Sequence, residues 1–249
     1  MKFNLEKANY NFDQVNFISD NILGEHIKEP FPNTSFFLAI IGRPGSGKTS
    51  MLINLLKQKG DNRIYRKVFD KIILVMPKSS IDNIKNNPFK NLEQIFDSFD
   101  SDVYKKVHEN YNEYKKDYDK AIEDKKPKPI FNQLLILDDI TSELKIKQVE
   151  MMLKDLSMNR RHIHLSIIIL VQYLRSIPKA IRFQISDVVY FQPSNQLDAQ
   201  VLNDEFLGMK KNKFDELKDI VWKDKHDYMI INKNNNAIFS KLQKINFED

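Results

Sequence analysis

The 249-residue sequence contains no cysteine. Disulfide bonds and thiolate metal sites are therefore excluded, and a reducing compartment is compatible. Long apolar runs are also missing. The longest, Phe36–Ile41 and Ser166–Val171, are far below the ~20 residues needed to cross a bilayer. The opening residues, Met1–Asp13, lack the apolar segment of a signal peptide. These absences predict a soluble intracellular protein with no membrane partner. Neither sign of charge dominates: 39 basic residues stand against 34 acidic ones, and the net charge of +5 leans only mildly toward an anionic partner. Glycine is scarce, with six in the chain, and three of them are Gly42, Gly45 and Gly47.

With 41% hydrophobic residues, the chain can bury a core for one large α/β domain or two small ones. The glycine cluster lies in Gly42-Arg43-Pro44-Gly45-Ser46-Gly47-Lys48-Thr49-Ser50, which fits G-x-x-x-x-G-K-[ST]. The apolar run Phe36–Ile41 precedes it as a strand. Met51, Leu52, Leu55 and Leu56 follow at helical spacing, with Gly60 as a C-cap. Strand, glycine loop and helix form the context in which backbone N–H groups converge on phosphate oxygens. The nine residues Gly42–Ser50 are the candidate nucleotide-binding set. Lys48 would reach the β- and γ-phosphates of ATP, and Thr49 would offer its hydroxyl to Mg²⁺.

Such a loop needs a carboxylate partner. Leu134–Leu137 is a buried parallel strand in pattern and ends in Asp138 and Asp139. Asp138 would hold the metal, and Asp139 would orient or deprotonate the attacking water. Two adjacent carboxylates favour an ATPase over a GTPase, whose D-x-x-G pattern is missing from Asp138–Thr141. Asn212-Lys213-Phe214-Asp215 matches a guanine-reading motif but sits in a helical pattern, so it reads as coincidence.

After an amphipathic helix marked by Ile146, Val149, Met152, Leu153 and Leu156 comes the stretch Asn159–Tyr173, in which "LSIIILVQ", Leu165–Gln172, reads as the next parallel strand. Gln172, at its C-terminal end, would point at the γ-phosphate of its own subunit. Arg160 and Arg161 lie at the other end, separated by about ten strand residues or roughly 30 Å. Solvated charge, DNA phosphate contact and an arginine finger for a neighbouring subunit all remain open for them. His162 and His164 alternate along the expected strand and would share a face, in packing or hydrogen-bonding roles.

Together, "GRPGSGKTS", "LLILDDI" and "NRRHIHLSIIILVQYLRSIPKAIRFQISDVVYF" resemble the poxvirus-type genome-packaging ATPases of the FtsK–HerA superfamily, found across large DNA viruses and virophages. The resemblance covers Phe36 to about Pro193. It implies a RecA-like P-loop NTPase core, a mainly parallel sheet flanked by helices. It also implies a homo-oligomeric ring that uses ATP and Mg²⁺ to drive double-stranded DNA into a preformed capsid, against a capsid protein at the packaging vertex. Under it, Gln172 becomes the γ-phosphate sensor and an arginine near the start of the same strand acts in trans, a place Arg161 fits best. Arg160 stands where relatives often carry glycine. Asp139 stands where they often carry glutamate, a replacement common among packaging members. Arg182 matches a recurring arginine with no role attached. Infected-cell cytoplasm or a viral factory is the implied location, with virion association a further option.

The expected organisation is an N-terminal arm over residues 1–33 and an ATPase domain over 34–249. Within it fall a charged helical insertion at 101–128 and C-terminal helices with a β-hairpin at 195–249. Lys71–Met76 and Asp187–Pro193 read as further strands. Tyr104, Val107, Tyr111, Tyr114, Tyr118 and Ala121 form a heptad stripe on the inserted helix. Lys210, Lys211 and Lys213, and Lys125, Lys126 and Lys128, are basic clusters able to follow a phosphate backbone. Two other classes stay open: a helicase or DNA pump of the same superfamily outside packaging, and a small-molecule kinase.

Overall fold

The strand β1 (Phe37–Ile41) is buried on both faces, so it reads as a continuous apolar run. Its neighbours explain that burial. In the computed structural model, which describes residues 22–85, 87 and 89–247, nine strands form one sheet in the order β3-β2-β4-β5-β1-β6-β7-β8-β9. The parallel part comprises β3 (Gln94–Phe96), β2 (Lys71–Val75), β4 (Gln133–Asp138), β5 (Leu165–Val171), β1 and β6 (Asp187–Phe191). The antiparallel strands β7 (Tyr228–Asn232), β8 (Ala237–Ser240) and β9 (Gln243–Lys244) extend it as a C-terminal hairpin and edge.

Alternation along the central strands divides the core between two layers. Phe37, Ala39 and Ile41 of β1, with Leu165, Ile167, Ile169 and Val171 of β5, share one layer with helices α3 (Ser101–Glu123), α4 (Lys147–Asn159), α6 (Gln196–Leu202) and α7 (Lys211–Val221). Leu38 and Ile40, with Ile168 and Leu170, face the other layer, built on Leu52 and Leu55 of α1 (Lys48–Lys57). Two short helices, α2 (Lys78–Asp82) and α5 (Lys179–Arg182), follow β2 and β5. Leu23 and Ile27 are buried in the α1 layer, so residues 22–33 pack on the core. The first 21 residues of the expected arm lie outside the described residues.

Helix α3 ends at Glu123, before Pro127, and its stripe is internal packing. Val103 and Val107 are fully buried. Tyr114 stacks on Phe131 at 5.0 Å, Tyr118 tilts against Tyr114 at 5.8 Å, and the Tyr104 hydroxyl donates to Asp155 at 2.8 Å. Helix α1 stops at Lys57, earlier than a Gly60 cap implies; Gly60 instead opens a 3₁₀ turn. The guanine-like Asn212–Asp215 sits in α7, not at a strand end.

The expectation for the two histidines also fails. β5 begins at Leu165, so His162 and His164 belong to a turn and do not share a strand face. The His164 φ of 50° is incompatible with extended chain, and its Nδ1 lies 3.1 Å from the Phe131 carbonyl oxygen. The strand proper is seven residues, about 23 Å long.

Candidate nucleotide site

The sheet order places the site. β5 lies between β1 and β4, with Ile41 beside Val171 and Leu170 beside Asp138. The ladder continues past β1, where the Gly42 amide donates to the Val171 carbonyl at 3.1 Å. Gln172 therefore emerges between the glycine loop and Asp138, all at the carboxyl ends of parallel strands. A cavity of about 260 Å³ there is lined by Pro44, Gly45, Lys48, Thr49, Asp138, Asp139 and Gln172 among others.

The loop turns tightly, with the Ser46 amide donating to the Arg43 carbonyl at 3.1 Å. Two glycines are obligatory. A Cβ on Gly42 would meet Ser46 Oγ at 2.5 Å and Phe191 Cβ at 2.8 Å. Gly47, the N-cap of α1, has φ 112°, where other residues are strained. No side chain caps that helix, which leaves its first turn open in the arrangement that receives a phosphate. Lys48 Nζ donates to the carbonyls of Gly42 at 2.7 Å and Arg43 at 3.2 Å, held back on its own loop. Burial lowers the Lys48 pKa, and the carboxylates of Asp138 and Asp139 push it back up.

Asp138 is half-buried at the end of β4. Burial raises its carboxyl to about 6, Lys48 opposes that shift and Asp139 adds to it. Asp139, exposed, turns the chain off the strand with φ 60°, a conformation aspartate tolerates better than most residues.

Of the three arginines, Arg161 is exposed in the turn before β5, at the end of the strand away from the cavity. Arg160 is only 9% exposed; its Nη1 donates to the Ser157 carbonyl at 2.7 Å, and its charge acts on Asp187. Arg182 is committed elsewhere. Its Nε and Nη2 each donate at 2.7 Å to the two oxygens of Glu205, and its Nη1 donates to the Ile177 carbonyl at 2.6 Å. That fork holds the Glu205 pKa below its usual value. The lysine clusters lie far along the chain from the loop: Lys211 and Lys213 on the first turn of α7, Lys125 and Lys126 just past α3.

Some lining residues carry no sequence signal. Ser80 and Ile84, around α2, and Thr141 close the cavity, brought there by the β2–β4 pairing. His226 Nδ1 sits 2.9 Å from the Ser46 carbonyl oxygen across 180 residues of sequence. Asp198 is fully buried and accepts from the Tyr190 hydroxyl and from the amides of Leu174 at 3.3 Å and Arg175 at 3.2 Å, clamping the segment after Gln172.

Glycine loop, strand-end carboxylates and, between them, a strand that leads into Gln172 define a P-loop NTPase, of the ATPase division that paired carboxylates favour. The chain belongs to the Poxvirus A32 protein family, which it matches over residues 25–247. This is the packaging-ATPase family that its motifs resemble. Its fold is similar to that of the genome packaging NTPase B204 from Sulfolobus turreted icosahedral virus 2, solved with ATP-gammaS. The TM-score is 0.54 at 13% identity, over 85% of this chain and 98% of that one. It is also similar to the cytoplasmic domain of the Thermomonospora curvata type VII secretion ATPase EccC, with TM-score 0.56 at 13% identity, over 86% of this chain and 26% of that one. EssC (ATPases 2 and 3) from Geobacillus thermodenitrificans matches at TM-score 0.52 and 15% identity, over 86% of this chain and 40% of that one. No curated protein matches the sequence.

Proposed function

We propose that the chain is the motor subunit that hydrolyses ATP to drive double-stranded viral DNA into a preformed capsid, as part of a homo-oligomeric ring seated on a capsid protein. The observation that carries the reading is the convergence of Lys48, Thr49, Asp138, Asp139 and Gln172 on one cavity in a chain of the A32 family.

The donor set suits Mg²⁺. The Thr49 hydroxyl and the Asp138 carboxylate are hard oxygen ligands, and Asp138 is a carboxylate short of solvation. Those two side chains would hold the ion, which when bound neutralises charge on the β- and γ-phosphate oxygens. Lys48 exchanges its loop carbonyls for phosphate oxygens. Asp139 orients the attacking water and accepts its proton as the water oxygen bonds the γ-phosphorus and the β–γ bridge breaks. Gln172 hydrogen-bonds the γ-phosphate and loses that partner when phosphate leaves, so the segment beyond it senses turnover.

Arg161 acts on the neighbouring subunit's nucleotide. Support comes from its exposure in the turn at the end of β5 away from its own subunit's cavity, and from the burial of Arg160. A finger of this kind contributes about 10³–10⁵ in rate.

Two measurements test the reading. Lys48→Ala should reduce ATP turnover by at least about a hundredfold; normal turnover would sink the site assignment. In mixtures of wild type and Arg161→Ala, the rate should fall faster than the wild-type fraction. Strict proportionality with a fully active Arg161→Ala protein would remove the trans role. Coupling to DNA is tested by whether double-stranded DNA stimulates hydrolysis.

A further inference from the structure

The β1–β5 register ends at Ile41 and Val171, and the Gly42 amide adds one more bond to the Val171 carbonyl. Gln172 lies just beyond that support. Among the described residues, the next tertiary anchor of this main chain is Asp198. Its two carboxylate oxygens accept the Leu174 amide at 3.3 Å and the Arg175 amide at 3.2 Å. Asp198 is fully buried, and it is itself held from several directions. It sits on the first turn of α6, where its amide donates to the Asn195 side chain at 2.8 Å. The Arg175 guanidinium lies 3.8 Å from it. It also accepts the Tyr190 hydroxyl, which burial and the Asp198 bond raise far above the ordinary tyrosine value, so that the hydroxyl stays a donor. Tyr190 belongs to the frame of the phosphate loop. It pairs with Ile41 on β1, its carbonyl accepts the Trp222 indole N–H at 3.1 Å, and Gln192, just past it, accepts Arg43 of the loop at 3.1 Å.

We infer that Asp198 is a positioning residue for hydrolysis, which through the amides of Leu174 and Arg175 fixes Gln172 against the phosphate loop. The inference rests on the reading of Gln172 as the partner of the γ-phosphate. A buried carboxylate is costly unless its oxygens are bonded. Leu174 is fully buried, and its apolar packing alone would hold the segment without that cost. Such packing has no direction, however. Two charge-assisted bonds to consecutive amides fix both the place and the orientation of that peptide. Tyr173 alone separates it from Gln172, so a shift of the carboxylate displaces the Gln172 side chain. The reference for the carboxylate is the end of β6, joined to the loop through Ile41 and Arg43. The placement of Gln172 relative to Lys48 is thereby set by β6 and α6 as well as by β5. Asp198 lies 24 residues beyond Leu174, on an element that carries no phosphate-binding residue.

The test is a double-mutant cycle on steady-state ATP turnover with Mg²⁺, using the full chain. Asp198→Asn keeps the size of the side chain but replaces one accepting oxygen by an amide nitrogen that cannot accept. Its kcat should fall by about 10- to 100-fold, the scale of a misplaced catalytic group. ATP affinity, read by titration calorimetry, should stay within about twofold of wild type. Gln172→Ala should lose a similar factor of kcat. Asp198→Asn added to Gln172→Ala should then change kcat by less than about threefold, because the residue it positions is already gone. Tyr190→Phe keeps the ring and removes only its bond to Asp198. It should show a smaller loss that also vanishes in the Gln172→Ala background, and it carries the cycle if Asp198→Asn fails to fold. Losses that multiply in the double variant, ATP affinity that falls as far as kcat, or wild-type kcat in the variant that carries the cycle would overturn the positioning role. Normal turnover by Gln172→Ala would instead remove the reading of Gln172, and this inference with it.

Discussion

Asp138 and Asp187 show how two aspartates at strand ends come to differ in use. Asp138 titrates at about 6 because burial disfavours its charge, and it is the group proposed to hold Mg²⁺. A metal ligand must be deprotonated, so Mg²⁺-dependent ATP affinity should fall as pH drops through 6, approaching tenfold per unit below it. Asp138→Asn should bind weakly and lose that dependence; calorimetry at several pH values reads both. Asp187 sits at the opposite end of β6, where burial raises its carboxyl to about 7 against the Ser186 hydrogen bond and the Arg160 charge. Its folded pKa is above its unfolded value, so its contribution to stability is fully present below about 4 and is lost as pH rises through 7. Asp187→Asn should therefore raise the melting temperature relative to wild type at pH 8 and show a smaller gain, or none, at pH 5. The sequence made Asp138 legible because it follows an apolar run. Asp187 had the same appearance from the other side of a run, but it opens β6 at the end away from the cavity, where burial makes it a structural carboxyl.

At the scale of elements, the segment from Gln172 to Leu207 is held at two points. Asp198 on α6 accepts the amides just after Tyr173, and Glu205, in the π-turn Asn203–Leu207, holds Arg182 on α5. Arg182 and Glu205 are 10% and 15% exposed, so removing one partner strands a largely buried charge. Arg182→Ala should destabilise the fold by about 3–5 kcal/mol, whereas Arg182→Met with Glu205→Leu should recover much of that loss; chemical denaturation measures both. The strands and helices were readable where burial imposes a period: the two-sided strands β1, β4 and β5, the apolar face of α4, the hairpin β7–β8. Boundaries were not. The turn at Arg161–His164 cut β5 short because the left-handed His164 and its contact to Phe131 depend on a neighbouring segment. The role of Arg182 was equally hidden, since its partner lies 23 residues away on an element that only packing brings near.

Across the whole molecule, the proposed motor predicts behaviour that no single subunit can show. ATP turnover should rise with protein concentration, as the trans arginine comes within reach, and with double-stranded DNA. The modest net charge of +5 points to a few phosphate contacts, so the DNA stimulation should decline with salt along a shallow slope. Lys211→Glu with Lys213→Glu should weaken it uniformly across DNA sequences. A rate indifferent to both DNA and concentration would favour a small-molecule phosphotransferase over a translocating ring.

By itself the sequence determined the chemistry: a glycine loop ending in Lys48 and Thr49, the Asp138–Asp139 pair and Gln172, each announced by an apolar run of strand length. It did so because phosphate binding is a local event, built from consecutive amides and the residues next to them. Tertiary structure decided which groups are neighbours. The insertion of β5 between β1 and β4 places Gln172 between Lys48 and Asp138. The pairing of β6 with β7 carries His226 to the phosphate loop. Arg160 and Arg161, adjacent in the chain, part company at a turn that buries one and exposes the other. Those outcomes depend on sheet order and burial, which no short stretch of residues encodes.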